Sequence, residues 1–343
     1  MGRRPGRVME RELTEPVDIA DAQGRLRPEA IGWARQPVQR CGLSDSLGRV
    51  ARWNYWCFST RSCALTVLIA DVGLIGGALV SFLDFAARRP VERLYARPGG
   101  LGFPMPDTPR GDVVVDARRL HLAMRERGEQ MHVEGTARTL LGRRIDIDLI
   151  VDRPRAHETV NVLVPWDETR FQFTSKQQAL PVRGVVRVDG VDHAFGPAEQ
   201  GFACLDFGRG RWPSRVVWNW AFGAVAGREH TIGINLGGTW TDGTGVTENG
   251  IVIDGRLHKI HEPVAFDYDR RDFERPWRIH NERVDLTFTP LRRRVFRLPL
   301  GVISVGLHQL IGSFAGTFVD DGGRRVAIDD LPGQAEEVRA RLR

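Results

Sequence analysis

Apolar and polar residues alternate with period two along most of the chain. That is the spacing of strands with one face in a core and the other in water. Residues 121–125, 131–136, 144–150 and 182–188 all read as such strands. Asp189-Gly190, Asp242-Gly243, Asn249-Gly250, Asp254-Gly255 and Asp321-Gly322 supply the dipeptides favoured in two-residue hairpin turns, where both positions take positive φ. Short strands separated by turn signals predict a mostly β protein built as an antiparallel sandwich or barrel.

Two segments need arbitration. Residues 64–83 are apolar enough to suggest a membrane helix, but Asp71 falls mid-segment, and Gly73, Gly76 and Gly77 break it. Two buried strands, 65–70 and 78–85, account for the same residues. The one helix expected is short and C-terminal, over 334–342. It follows Asp329-Asp330-Leu331-Pro332 and pairs Glu337 with Arg341 at i,i+4. The Pro- and Gly-rich stretch 97–111 reads as a long loop, either a passive insertion or a lid.

The chain also echoes itself. Arg49-Val50-Ala51-Arg52-Trp53-Asn54-Tyr55-Trp56 resembles Arg215-Val216-Val217-Trp218-Asn219-Trp220. Later, Gly184 with Asp189-Gly190 recurs at the same spacing as Gly316 with Asp321-Gly322, and Ala198-Glu199-Gln200 loosely echoes Ala335-Glu336-Glu337. Echoes in one order point to a duplication. With 343 residues, more than one core usually organises, they divide the chain into an N-terminal barrel-like half, 12–196, and a C-terminal one, 197–343.

Composition narrows the partners. Net charge is +6, yet all but two of the 49 basic residues are arginine, scattered mostly as doublets, with Arg292-Arg293-Arg294 the longest run. A nucleic-acid binder gathers its charge on one face, so a nucleic-acid partner is not expected. The four cysteines show neither paired nor metal-ligand spacing, and the charged N-terminus lacks an apolar run. A reducing cytoplasm and no transmembrane segment follow as expectations. The oligomeric state stays open.

Three clusters carry candidate chemistry. Alternation puts Trp53 and Tyr55 opposite Asn54 and Trp56, and Trp218 and Trp220 opposite Asn219. Such strands either wall an aromatic ligand cavity with Asn as a polar anchor, or simply pack a core, the commoner outcome. Asp206, between Leu205 and Phe207, faces a desolvated interior if its strand is buried. It is then a candidate general acid unless Arg209 compensates it as a structural pair. The Gly-rich run 237–250 holds Trp240, Asp242 and Glu248. It either brings two carboxylates to a pocket mouth or serves as an elaborate connection.

Other patterns fail. His258 and His261 are three apart, so on a strand they face opposite ways, and no third metal ligand is evident. Gly301-Val302-Ile303-Ser304-Val305-Gly306 misses the nucleophile-elbow spacing. No phosphate loop or dinucleotide fingerprint occurs. Neither metal nor cofactor is expected.

Leu13-Thr14-Glu15-Pro16, Trp53-Asn54-Tyr55-Trp56, Phe82-Leu83-Asp84-Phe85, residues 206–213, Trp218-Asn219-Trp220-Ala221 and residues 240–250 together resemble the family called domain of unknown function 2804. More distantly, the order Val188-Asp189-Gly190, Phe202, Asp206 and Trp218-Asn219-Trp220 is similar to two-domain lipocalin-like proteins, among them carotenoid hydratases, tocopherol cyclases and cyclisation enzymes. That resemblance implies two lipocalin-like barrels enclosing a hydrophobic terpenoid, lipid or polyketide, with an acid that protonates an alkene. The Trp-Asn-Trp strand and the residues before Asp206 depart from the hydratase pattern, so the fold transfers more readily than the reaction. The resulting expectation is hydration, isomerisation or cyclisation by Asp206 with Glu248 or Asp242. Trp53, Asn54, Trp56, Arg209, Trp218, Asn219, Trp220 and Trp240 would shape the pocket. The alternatives are a carrier without chemistry and a structural interaction module.

Overall fold

Two antiparallel sheets hold nearly all the strands of the computed structural model, which describes residues 10–43, 50–72, 75–87, 89–98, 103–300 and 303–341. The first runs, in spatial order, Val91–Pro98, Ile75–Asp84, Cys63–Asp71, Ala51–Ser59, Phe202–Arg211, Phe171–Val188, Arg144–Asp152, Gln130–Arg138, Leu120–Arg127 and Val113–Ala117. Gly32–Ala34, Val160–Pro165 and Val191–Phe195 attach to it. The second runs Arg256–Lys259, Gly250–Ile253, Thr231–Gly238, Arg215–Ala226, Arg325–Arg341, Ile303–Val319, Val284–Leu300, Trp277–His280 and Ala265–Asp267. Each sheet curls into a barrel-like half, one nearly closed and one a half-barrel.

The two orders are the same order. In each half the last strand turns back to pair with the first: Phe202–Arg211 lies beside Ala51–Ser59, and Arg325–Arg341 beside Arg215–Ala226. The change of sheet falls at residues 212–214, beyond the 196/197 junction expected from the sequence. Gly184 and Gly316 hold equivalent places. They have φ of 130° and 144°, and a Cβ on either would collide with the backbone oxygen of Asp148 or Asp285 on the neighbouring strand.

The apolar stretch 64–83 forms the paired strands Cys63–Asp71 and Ile75–Asp84. Gly76 and Gly77, expected to break it, lie within the second strand opposite Asp71 and Ala70, and Gly73 is outside the described residues. Among the described residues no helix is long and apolar enough to cross a membrane. The only helix there is a single 3-10 turn, Pro28–Ala30. Asp189-Gly190 and Asp254-Gly255 make two-residue hairpin turns with positive φ at all four residues. Asp321-Gly322 sits in a longer turn, while Asp242-Gly243 and Asn249 belong to the irregular connection 239–249.

The expected C-terminal helix is not formed. Its described residues belong to the strand Arg325–Arg341, paired on one side with residues 215–223 and on the other with 304–312. An i,i+4 ion pair and helix propensity are each worth only tenths of a kcal/mol per residue. Two ladders and burial on both faces, with Gln334 and Ala335 alike buried, outweigh them. The helix signal was local, and the strand is held by partners far away in sequence.

Each half is filled by its own side chains. Trp56, Phe58, Phe173 and Phe207 belong to the first core, and Trp277, Phe288, Phe314 and Phe318 to the second. The arginine run 292–294 secures a long hairpin. Arg292 donates to the carbonyls of Phe85 and Ala87, Arg293 bonds His308 Nδ1 at 2.6 Å, and Arg294 pairs with Glu92 at 2.6 Å. Two of its three guanidiniums therefore tie the second sheet to the first.

Candidate functional site between the two sheets

The halves meet on the strands nearest each first strand, and there the side chains form successive layers. Cys57, Gln178, Cys204, Phe222 and Gln334 help line a cavity of about 220 Å³ between the sheets. Its remaining wall includes Phe85, Phe202 and Ile311, and the exposed Arg61–Asp330 ion pair, 2.8 Å long, stands at its rim. Residues two apart on a strand share a face and lie about 7 Å apart. Moving two positions along those same five strands gives Tyr55, Lys176, Asp206, Trp220 and Glu336, and two more reach Trp53 and Trp218. The cavity thus rests on a titratable layer, which rests on tryptophan.

Lys176 is the hub of that layer. Its ammonium lies 2.9 Å from Asp206 Oδ2, 3.1 Å from Glu248 Oε2 and 4.2 Å from the Trp220 ring centroid. Burial works against the charge, but Asp206 and Glu248 outweigh it and hold the lysine above its ordinary pKa. Thr174 donates a second contact to Asp206 at 3.2 Å. Glu248 is buried over Gly237, where a Cβ would overlap its carboxylate, and accepts the Trp240 indole N–H at 2.6 Å. Burial raises its pKa although Lys176 pulls the other way.

Glu336 completes the group from the second half's closing strand. It accepts the Trp218 indole N–H at 3.1 Å and an amide N–H of Gln309 at 3.4 Å. Burial pushes its carboxyl up to about 7; Asp206 adds to the rise, while Trp218 and Lys176 oppose it. One ammonium therefore bridges two carboxyls, with the Glu336 carboxyl close enough to feel its charge.

The aromatic residues divide by face. Trp53, Trp166, Trp218 and Trp240 gather around Trp212, with ring centroids 5.4–5.8 Å from it. Trp220 stacks on Phe222 at 4.2 Å and donates its N–H to Asn235 Oδ1 at 2.8 Å. Trp56, Asn54 and Arg209 face the other way, into the first half. There Arg209 donates to Asn54 Oδ1 and to the carbonyls of Trp53, Pro106 and Gly208, so it does not compensate Asp206. An odd spacing of three on a strand puts Asp206 and Arg209 on opposite faces. Burial lowers the Arg209 pKa to about 9. Asn219 likewise faces the interior of the second half, bonding Tyr268 and Thr239.

Asp242 lies exposed on the 239–249 connection, so the pair expected with Glu248 does not form; Glu248 meets Asp206 through Lys176 instead. The loop 97–111, where described, is pinned by Arg209 on Pro106 and Arg153 on Pro109. His258 pairs with Asp321 while His261 packs on Trp33, and no cluster of three metal-ligating side chains occurs among the described residues. Sequence reasoning missed Lys176 and Glu336. The signal for the first was its rarity, since only two lysines occur.

Residues 10–342 match the model of the family described as domain of unknown function 2804. No curated protein matches the chain. Among solved structures, a protein described as AttH from Nitrosomonas europaea is similar at 13% identity and a TM-score of 0.47, over 86% of this chain and 92% of its own. Kievitone hydratase from Nectria haematococca is similar at 11% identity and 0.44, over 95% and 97%. CghA is similar at 12% identity and 0.41, over 85% and 88%.

Proposed function

The chain belongs to the domain of unknown function 2804 family, and we propose that it binds an apolar small molecule in the cavity between its sheets and protonates it. The observation that carries this reading is the layer beneath the cavity, where buried Lys176, Glu248 and Glu336 gather with the partly buried Asp206. Glu336 is the acid in this reading, with a carboxyl at about 7, and its proton reaches a ligand that extends from the cavity past Phe222 and Gln334 into the layer beneath. Asp206 and Glu248 hold Lys176 and so keep negative charge beside any cation that forms. Trp220 lies behind Phe222, stacked on it and carrying the Lys176 ammonium over its ring.

With an alkene as substrate, the Glu336 proton moves to one alkene carbon and leaves a carbocation at the other. Water adds there, and its surplus proton returns to the Glu336 carboxylate, which balances a hydration. Loss of a neighbouring C–H proton to the carboxylate instead gives isomerisation.

The test is mass spectrometry of small molecules extracted from the purified protein and from Glu336→Gln. The variant is expected to retain an unsaturated compound where the parent retains its isomer or a product heavier by one water. The same compound in both would leave a carrier and refute the chemistry. Ala64→Trp, on the face that Cys57 and Cys204 turn to the cavity, is expected to fill it and retain nothing; undiminished retention would refute the site.

A further inference from the structure

At one end of the first sheet three hairpin turns stand side by side, at residues 117–120, 138–144 and 188–191. The middle one carries Leu140 and Leu141, 76% and 94% exposed, and Val191 at the close of the next is 60% exposed. No other large apolar side chain among the described residues is as exposed as Leu141. A single exposed leucine means little, but two in sequence stand on a turn where polar residues are the rule. The turn does not need them for its shape. Thr139 N donates to the Arg143 carbonyl at 2.8 Å, Arg143 N donates to Thr139 Oγ1 at 3.0 Å, and Gly142 takes a φ of 89°. The turns on either side brace it: Arg119 donates to the Leu140 carbonyl at 3.3 Å, and Asp189 pairs with Arg143 at 2.7 Å. The leucines are thus presented on a preformed support.

Positive charge surrounds these apolar tips. Residues 116–120, 138–146 and 187–192 hold six arginines and four aspartates. Arg143, Arg144 and Arg187 are answered by Asp189, Asp146 and Asp192. Arg118, Arg119 and Arg138 are exposed and have no carboxylate within ion-pair distance among the described residues, and the remaining acid, Asp116, lies 3.9 Å from His121. We propose that this end of the first sheet docks on an anionic lipid surface, with Leu140 and Leu141 entering the interface while Arg118, Arg119 and Arg138 meet lipid phosphates. Lipid yields around a projecting side chain, whereas a protein partner must offer a matching groove. The arginines favour an anionic headgroup over a neutral one, and the leucines favour lipid over nucleic acid. Two leucines and a valine are too little surface for a stable dimer through this end. The proposal is independent of what the cavity between the sheets binds.

Cosedimentation of the full chain with lipid vesicles tests this. The protein is expected to bind vesicles of phosphatidylcholine and phosphatidylglycerol in equal parts, and to bind phosphatidylcholine alone at least about tenfold more weakly. Leu140→Ser/Leu141→Ser is expected to weaken binding to the mixed vesicles at least about tenfold, and Arg118→Gln/Arg138→Gln to do the same. All four side chains are exposed, so unchanged thermal midpoints are expected to show both variants folded. Failure of the parent protein to bind the mixed vesicles would overturn the proposal, as would undiminished binding by the folded leucine variant. Equal binding of the parent to both kinds of vesicle would overturn its anionic preference. Self-association without vesicle binding, abolished by the leucine substitutions, would give the surface to a second copy instead.

Discussion

Asp206 and Glu336 occupy the same place in the two halves. On the closing strand of the first half Asp206 stands opposite Tyr55, and on that of the second Glu336 stands opposite Trp220. Tyr55 and Trp220 are each two residues after the tryptophan of the repeated Trp-Asn-aromatic signature. The duplication therefore delivers one carboxyl from each half to a shared layer. The halves differ in what answers it: the first adds Lys176 to Asp206, and the second gives Glu336 only indole and amide donors.

That asymmetry sets a pH dependence. The Glu336 carboxyl, ordinarily near 4.5, titrates at about 7 in the fold. A group raised on folding stabilises the fold while protonated, and that contribution is lost as pH rises through the folded value. Glu336→Gln, which cannot ionise, is expected to match the parent near pH 4 and exceed it by up to about 3 kcal/mol near pH 8. Urea denaturation across that range checks it; a difference that does not grow with pH would refute it.

Removing Lys176 leaves buried carboxyls without their cation. Lys176→Met is expected to lose about 3–5 kcal/mol, and to recover most of it when Asp206→Asn and Glu248→Gln are added. Denaturant midpoints of the single and triple variants decide this.

Gly184 and Gly316 test the duplication through backbone strain. At φ 130° and 144°, with a neighbouring strand's carbonyl where a Cβ would stand, alanine is expected to cost each half about 2 kcal/mol or more. Thermal unfolding in which only one substitution matters would contradict their equivalence.

The tryptophan cluster has an optical signature. Trp212 touches four other indoles, so far-ultraviolet circular dichroism is expected to show a coupled pair of bands of opposite sign. Trp212→Phe should reduce that amplitude by more than half, with about 1–3 kcal/mol lost in packing. An unchanged spectrum would mean the rings are not held as described.

Much of the fold was legible because a strand's period-two pattern and its turn residues are local. The division of residues 64–83 into two paired strands shows this, as does the Asp189-Gly190 hairpin, although Gly76 and Gly77 lie within the second of those strands. The same locality misled over residues 334–342, where a weak helical pattern met two waiting ladders. For the site, alternation separated the Trp53, Trp218 and Trp220 face from the Asn54, Asn219 and Trp56 face. The Asp206–Arg209 pair weighed from the sequence does not form, because residues three apart on a strand face opposite ways. One further clue lay in composition. In a chain that uses arginine almost everywhere, both lysines are buried against acids, Lys176 on Asp206 and Glu248 and Lys259 on Glu10. A compact ammonium fits between close carboxyls where a wide planar guanidinium does not.

The sequence by itself determined the strand content and the repeat, because each is written in spacings of a few residues. The aromatics it offered as pocket walls, Trp53, Trp56, Trp218, Trp220 and Trp240, do not line the cavity, whose aromatic wall is Phe85, Phe202 and Phe222. Only the tertiary structure decided that the cavity lies between the halves rather than inside one, and that Lys176 and Glu336 join Asp206 and Glu248. Lys176, Asp206 and Glu336 lie on strands and Glu248 on the 239–249 connection, separated by tens to more than a hundred positions. Their meeting depends on which strand closes each sheet and which faces the sheets turn to each other, and nothing in a local period encodes that choice.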